Sequence, residues 1–210
     1  MTSFNAFKAI HDFKLSRPSA DALKDMSTHP HFLWTDFFSR KNTDKATIID
    51  ALSQNILFQT LNRKELRYIS NYVYERSYQA DEPIFAQADR GLGMYLIVKG
   101  KVAIRTQSPQ PGHSGDVLVT VLRDGSFFGE LALVDPDHIR TAHSIAMEKT
   151  SLIGFFKPDL TEILERKPDV GVKILFQLSV VLGRRLLETT EKITLLTKAR
   201  GVTQLHEDIV

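Results

Sequence analysis

Leu122-Arg-Asp-Gly-Ser-Phe-Phe-Gly-Glu-Leu-Ala-Leu133, followed by Arg140-Thr141-Ala142, decides how this chain is read. The stretch sets a glycine, a carboxylate and a short run of small apolar residues side by side, with an arginine ten residues after the glutamate. If Gly129 to Leu133 forms a helical turn, its first N–H groups have no internal partner and attract an anion. Gly129 lets a phosphate come close to the backbone. Glu130 accepts hydrogen bonds only and suits a ribose hydroxyl. Arg140 supplies a planar, permanently charged fork for a phosphate. The predicted ligand is a sugar phosphate.

Outward from this stretch, the chain alternates short β-branched runs with glycine and proline turns. Met94 to Val98 and Lys101 to Arg105 read as strands joined at Gly100. Val117 to Leu122, Ser144 to Met147 and Ser151 to Phe156 complete a set typical of a jelly roll or barrel. Ser108 to Gly115 has no periodicity and reads as a hairpin tip. Before the strands, residues 44–74 read as helical with a break near Asn55, and Thr60 or Asn62 is the candidate cap for the second helix.

Beyond the strands, Lys167-Pro168-Asp169 opens a helix that runs to about Lys198, with proline in its first turn. Leu175, Leu178, Leu182, Leu186, Thr189, Ile193 and Leu196 recur every three or four residues and make a narrow seam. The seam predicts a homodimer. Val172 to Leu182 is apolar on other faces too, so this half has its own barrel as well as a partner to pack on. The fold class is α+β: a jelly-roll β-barrel with helices before it and a long helix after it. The expected divisions are a helical extension at 1–45, a helical bundle and barrel at 46–166, the dimerisation helix at 167–200 and a tail at 201–210.

In the extension, Phe4, Phe7, Ile10 and Phe13 suggest a short amphipathic helix, and Phe32, Leu33, Trp34, Phe37 and Phe38 suggest a docking segment. His29 and His31 lack the further ligands that a metal site needs. No metal is expected. The 210 residues are 42% hydrophobic and 25% charged, an ordinary balance for a globular protein. A net charge of +2 is too weak to argue for nucleic acid. With no cysteine, disulfides, thiol catalysis and cysteine-held clusters are excluded. No apolar run reaches membrane-spanning length and no secretory pattern opens the chain, so the expected location is cytoplasmic. No nucleophile–base motif marks an enzyme.

The run Gly125 to Leu133 with Arg140-Thr141-Ala142 resembles the phosphate-binding cassette of cyclic nucleotide-binding domains, and the resemblance covers about residues 54–198. It implies cAMP, or else cGMP, as ligand, with Glu130 on the ribose 2′-hydroxyl. It further implies Arg140 on the cyclic phosphate and the Leu131 and Ala132 amides on its oxygens. Thr141 matches a threonine that meets guanine in cGMP-responsive relatives. In the long helix, Arg184 to Lys192 resembles the purine-contacting segment of the family's catabolite activator branch. That implies Thr189 on the ligand of its own subunit and Thr190 on the partner's. Where many members carry Gly-Asp-x-Gly-Asp, this chain has Ala88-Asp89-Arg90-Gly91-Leu92. The activator branch continues into a winged helix-turn-helix of about 70 residues, whereas only about ten residues follow the helix here. The resemblance therefore implies a receptor that works through an unknown protein effector, without direct DNA or membrane binding.

Other readings stay open at this point. Glu130 and Arg140 suit a structural ion pair in a ligand-free scaffold. His138 and His143, beside the cassette, are the candidate axial ligands of a haem sensor.

Overall fold

The computed structural model describes residues 45–107, 115–135 and 137–199. Expectations for residues 1–44, the hairpin tip at 108–114 and the tail at 201–210 lie outside the described residues. Two short helices come first, α1 (Lys45–Gln54) and α2 (Arg63–Ile69). Asn62 is the cap of α2: its Oδ1 accepts from the Lys64 and Glu65 amides at 2.9 and 3.0 Å. Glu65 Oε2 accepts from the Asn62 amide in return, at 2.7 Å. This reciprocal pair satisfies donors that the first helical turn leaves open.

Eight strands follow: β1 (Val73–Tyr78), β2 (Pro83–Phe85), β3 (Gly93–Lys99), β4 (Val102–Gln107), β5 (Asp116–Leu122), β6 (Phe127–Phe128), β7 (His143–Ala146) and β8 (Thr150–Phe156). They form two antiparallel sheets ordered β1-β8-β3-β6 and β2-β7-β4-β5, and the chain passes repeatedly from one to the other. This is the jelly roll that the turn-punctuated short strands predict. The three-residue strand β2 was not anticipated, because so short a run shows no periodicity.

Burial differs between the sheets. Along β3, Met94 and Leu96 join the core shared with the helices, while Tyr95 and Ile97 join the core between the sheets. Successive side chains point to opposite faces, so a strand covered on both sides reads as unbroken apolar sequence. The second sheet is covered on one side only: outward residues of β4 such as Arg105 and Gln107 are exposed, and β5 forms an edge with Val117, Leu118 and Val119 in solvent.

Three helices accompany the barrel's later strands: α3 (Leu131–Val134), α4 (Lys157–Arg166) and α5 (Pro168–Ala199). α4 was also not anticipated, although Pro158 in its first turn and the spacing of Leu160 and Ile163 mark it as helical. The 32 residues of α5 span about 48 Å at 1.5 Å per residue. Val170, Ile174, Leu178 and Val181 are buried on the barrel and the first helices. Leu186, Ile193 and Leu196 are exposed. The structure thus divides the single seam expected from sequence. Leu178, at 1% exposure, belongs to the protein's own core, and only the later seam residues stand open. Among the described residues no helix is long and apolar enough to cross a membrane.

Candidate functional site

The decisive stretch folds as strand β6, a tight turn and helix α3. Gly129 has φ +76, which side chains rarely adopt, and a Cβ there would lie 2.5 Å from Arg140 Nη1. Glycine is required both by the turn and by the arginine packed against it. Glu130 caps α3 in helical conformation. Within the turn the Ala132 amide donates to the Gly129 carbonyl at 3.2 Å and the Leu133 amide to the Glu130 carbonyl at 3.0 Å. Of the two amides expected at the phosphate, that of Ala132 is engaged here by the turn itself.

Arg140 comes from the far side of the loop. Its backbone is clamped to the turn at Ala88-Asp89-Arg90-Gly91: the Arg140 amide donates to Asp89 O at 2.8 Å, and the Ala88 amide donates to Arg140 O at 2.9 Å. Ala88 sits there at φ +72, where family members with Gly-Asp-x-Gly-Asp have glycine. The side chain is only 5% exposed. Nη1 donates to the Gly129 carbonyl at 3.1 Å and Nη2 to the Gly93 carbonyl at 2.7 Å. The guanidinium carbon lies 4.1 Å from the centre of the Phe85 ring. Nε is buried without a hydrogen-bond partner. Burial pushes the Arg140 pKa down, and the nearby Tyr95, Asp89 and Glu130 oppose that shift.

Glu130 is 6% exposed. Its Oε1 accepts from Arg185 Nη1 of α5 at 2.6 Å, and Arg185 Nη2 also donates to the Phe127 carbonyl at 3.2 Å. The Arg185 guanidinium carbon is 4.8 Å from the Phe127 ring centre. The ion pair of the scaffold reading thus has a different partner: Glu130 pairs with Arg185, and Arg140 is held by carbonyls. Arg185 had no role in the sequence reading. Its signal was its place one turn before Thr189, on a helix long enough to pass the cassette.

The remaining predicted residues divide. Thr141 is exposed beside Arg140, and Leu131 is exposed at the start of α3. Thr189 and Thr190 lie on the exposed half of α5, and their hydroxyls donate to the Arg185 and Leu186 carbonyls at 2.7 and 2.9 Å. Both are thus bonded to the preceding turn. His138 is buried with Nδ1 3.5 Å from Asp135 Oδ2, and His143 Nδ1 accepts from the Gln87 amide at 3.2 Å. Each imidazole of the haem reading thus has a protein neighbour at Nδ1. Among the described residues no cluster of three or more His, Asp or Glu is placed to hold a metal ion.

Comparison with known proteins places this geometry. The model of the cyclic nucleotide-binding domain matches residues 75–167, from β1 to the residue after α4. The Cyclic AMP receptor protein of Thermus thermophilus is 33% identical over 144 residues, which are 67% of this chain and 62% of that protein. The crystal structure of Thermus thermophilus Catabolite Activator Protein superposes with a TM-score of 0.60 at 30% identity, over 68% of this chain and 63% of that one. A cyclic nucleotide-binding domain from Methylobacillus flagellatus shares the fold at 24% identity and a TM-score of 0.62, over 79% of this chain and 86% of that one. The chain spans under two thirds of the length of the Thermus relatives. With its cassette inside the matched residues and its jelly roll shared with these structures, the chain belongs to the cyclic nucleotide-binding domain family.

Proposed function

We propose that this chain is a cyclic nucleotide receptor that prefers cAMP to cGMP and passes the binding event to a protein partner. The observation that carries this reading is the state of Arg140. It is a buried cation whose fork is met by carbonyl oxygens and an aromatic face, with Nε unpartnered, next to a glycine-led turn. A buried charge with no anion bonded to it is costly, and an anionic ligand at the cassette supplies one. Glu130 then takes the ribose hydroxyl, and the Leu131 amide takes a phosphate oxygen together with the Arg140 fork. Residues 46–166 hold the ligand and 167–200 respond to it.

The response runs through Arg185. A ribose that competes for Glu130 loosens or re-aims the hydrogen bond from α5, so the helix has a different best position with and without ligand. Thr189 and Thr190 are one turn further along the same helix. Their hydroxyls exchange the carbonyls of the preceding turn for the purine of one subunit and of its partner across a dimer seam at Leu186, Ile193 and Leu196. A cAMP preference of about tenfold, worth roughly 1.4 kcal/mol, is expected from these hydroxyls. The protein does no chemistry on the nucleotide in this reading. Its location is cytoplasmic, where such a ligand is made.

Calorimetric titration with cAMP and cGMP tests the proposal. The expected result is micromolar or tighter binding of cAMP, at least tenfold weaker in Arg140→Ala, with Arg123→Ala close to wild type because Arg123 lies in the exposed turn before Gly125. No heat and no thermal shift at millimolar nucleotide would remove the receptor reading.

A further inference from the structure

We infer, on the basis of the receptor reading, that Phe85 is a positioning residue that aligns the Arg140 guanidinium for the ligand's phosphate. Phe85 ends the short strand β2, which the sequence pattern did not reveal. The pairing of β2 with β7 shifts register between Pro83 and Phe85. Such a bulge re-aims side chains, and here Ile84 and Phe85, neighbours in sequence, both pack on the aromatic core between the sheets. The Phe85 ring is backed there by Tyr95 and Phe128, with ring centres 6.1 and 5.8 Å away. Tyr95 and Phe128 are themselves stacked at 5.6 Å. The ring therefore has a fixed plane.

Its outer face meets the arginine, with the guanidinium carbon 4.1 Å from the ring centre. An aromatic face carries partial negative charge and attracts a cation. The Gly129 and Gly93 carbonyls hold the two terminal nitrogens from the edge, and the ring holds the plane of the fork from its face. Together they fix the cation without using a carboxylate hydrogen bond, so its charge is not already matched by a bonded anion. An aliphatic residue of similar volume fills the same space but supplies no attraction for the cation and no fixed plane. The aromatic residue thus lowers the reorganisation needed when phosphate arrives.

Three replacements at position 85 test this: Phe85→Leu, Phe85→Tyr, and trifluorinated phenylalanine, which keeps the shape of the ring while weakening the charge on its face. The readouts are the Arg140 Nε–Hε resonance in the free protein and the cAMP dissociation constant. In wild type the resonance carries a ring-current shift. Phe85→Leu removes that shift and weakens cAMP binding ~2- to 30-fold, the range of one cation–ring contact. Phe85→Tyr keeps both. The trifluorinated ring weakens binding in the same direction with an unchanged melting temperature, and it decides the matter if Phe85→Leu does not fold. Wild-type affinity in both the leucine and trifluorinated variants would overturn the inference. An unshifted Arg140 resonance in wild type would overturn it even in a protein that binds no nucleotide, which separates its failure from that of the receptor reading.

Discussion

Helix α5 has two apolar halves: the first buries one face and exposes Val172 and Phe176 on another, and the second exposes all its leucines. From Val170 to Val181, one residue per turn is driven into a core built by α1, α2, α4 and the first sheet. From Leu186 to Leu196 the leucines and isoleucine stand in solvent, Leu186 at 68% exposure. Leu187 and Leu195 are exposed as well. Arg185 lies at the junction and ties the helix to the cassette through Glu130. Hydrophobic sequence thus has two settings along one helix: the buried turns of the near half hold the domain together, and the far half leaves its apolar residues open. A monomeric protein rarely exposes apolar side chains in so continuous a row.

The largest effect expected is a difference in stability between the halves. Leu178→Ala should cost about 2–5 kcal/mol, since a fully enclosed leucine leaves a cavity. Leu186→Glu should change the unfolding free energy of the dilute protein by less than about 0.5 kcal/mol, and it should turn sedimenting dimers into monomers because a like charge enters the seam from each chain. Urea unfolding and sedimentation of both variants check this. Equal costs at the two positions would break the comparison.

Next comes the junction. Arg185→Ala strands the Glu130 carboxylate at 6% exposure without its 2.6 Å partner. A buried group left unsatisfied costs about 1–3 kcal/mol. The melting temperature of the free protein should fall accordingly, and saturating nucleotide should restore part of the loss if a ribose hydroxyl takes the vacated place. A loss that ligand does not reduce would detach Arg185 from the ligand response.

The support of the near half should also respond to pH. Asp159, in the first turn of α4, is pushed up from 3.8 to about 6, chiefly by burial, with the Tyr74 hydroxyl opposing at 3.4 Å. The folded state then holds a proton that the unfolded state has lost between about pH 4 and pH 6. Stability falls as pH rises through that window, by on the order of 1–2 kcal/mol after allowance for solvent screening. Asp159→Asn should flatten this part of the pH profile measured by thermal unfolding. An unchanged profile would show that Asp159 titrates normally.

The smallest effect lies in the far half. Thr189→Ala should raise the stability of the free protein by at most about 0.5 kcal/mol, because a threonine hydroxyl bonded one turn back contributes little to a helix. The same substitution should cost about 0.5–1.5 kcal/mol in cAMP affinity, one hydrogen bond's worth. Calorimetry beside thermal unfolding separates the two, and a loss of stability without a loss of affinity would give Thr189 a structural role only.

Several elements were legible because their physics is local. The cap of α2, narrowed to Thr60 or Asn62, the glycine turn at Gly129 and the proline that opens α5 each depend on a few neighbouring residues. β3 and β8 were legible as short apolar runs between turn residues, because a strand covered on both faces is apolar almost throughout. Two of the elements that were missed show the limit from opposite sides. β2 has three residues, too few to carry a period, and α4 hides its apolar residues in a charged stretch, with cover supplied by α5.

By itself the chain determined a jelly roll, a long amphipathic helix after it, and a cassette whose glycine, carboxylate and arginine spacing suits a sugar phosphate. Only the tertiary structure decided the partners of the charged groups. It put Arg185 rather than Arg140 on Glu130, and two carbonyls and the Phe85 ring around Arg140. It also decided which turns of α5 are core. A sequence specifies period and residue type. The pairing of a buried charge depends on distances of a few ångströms between elements far apart in the chain, where desolvation makes each contact strong and each missing contact costly.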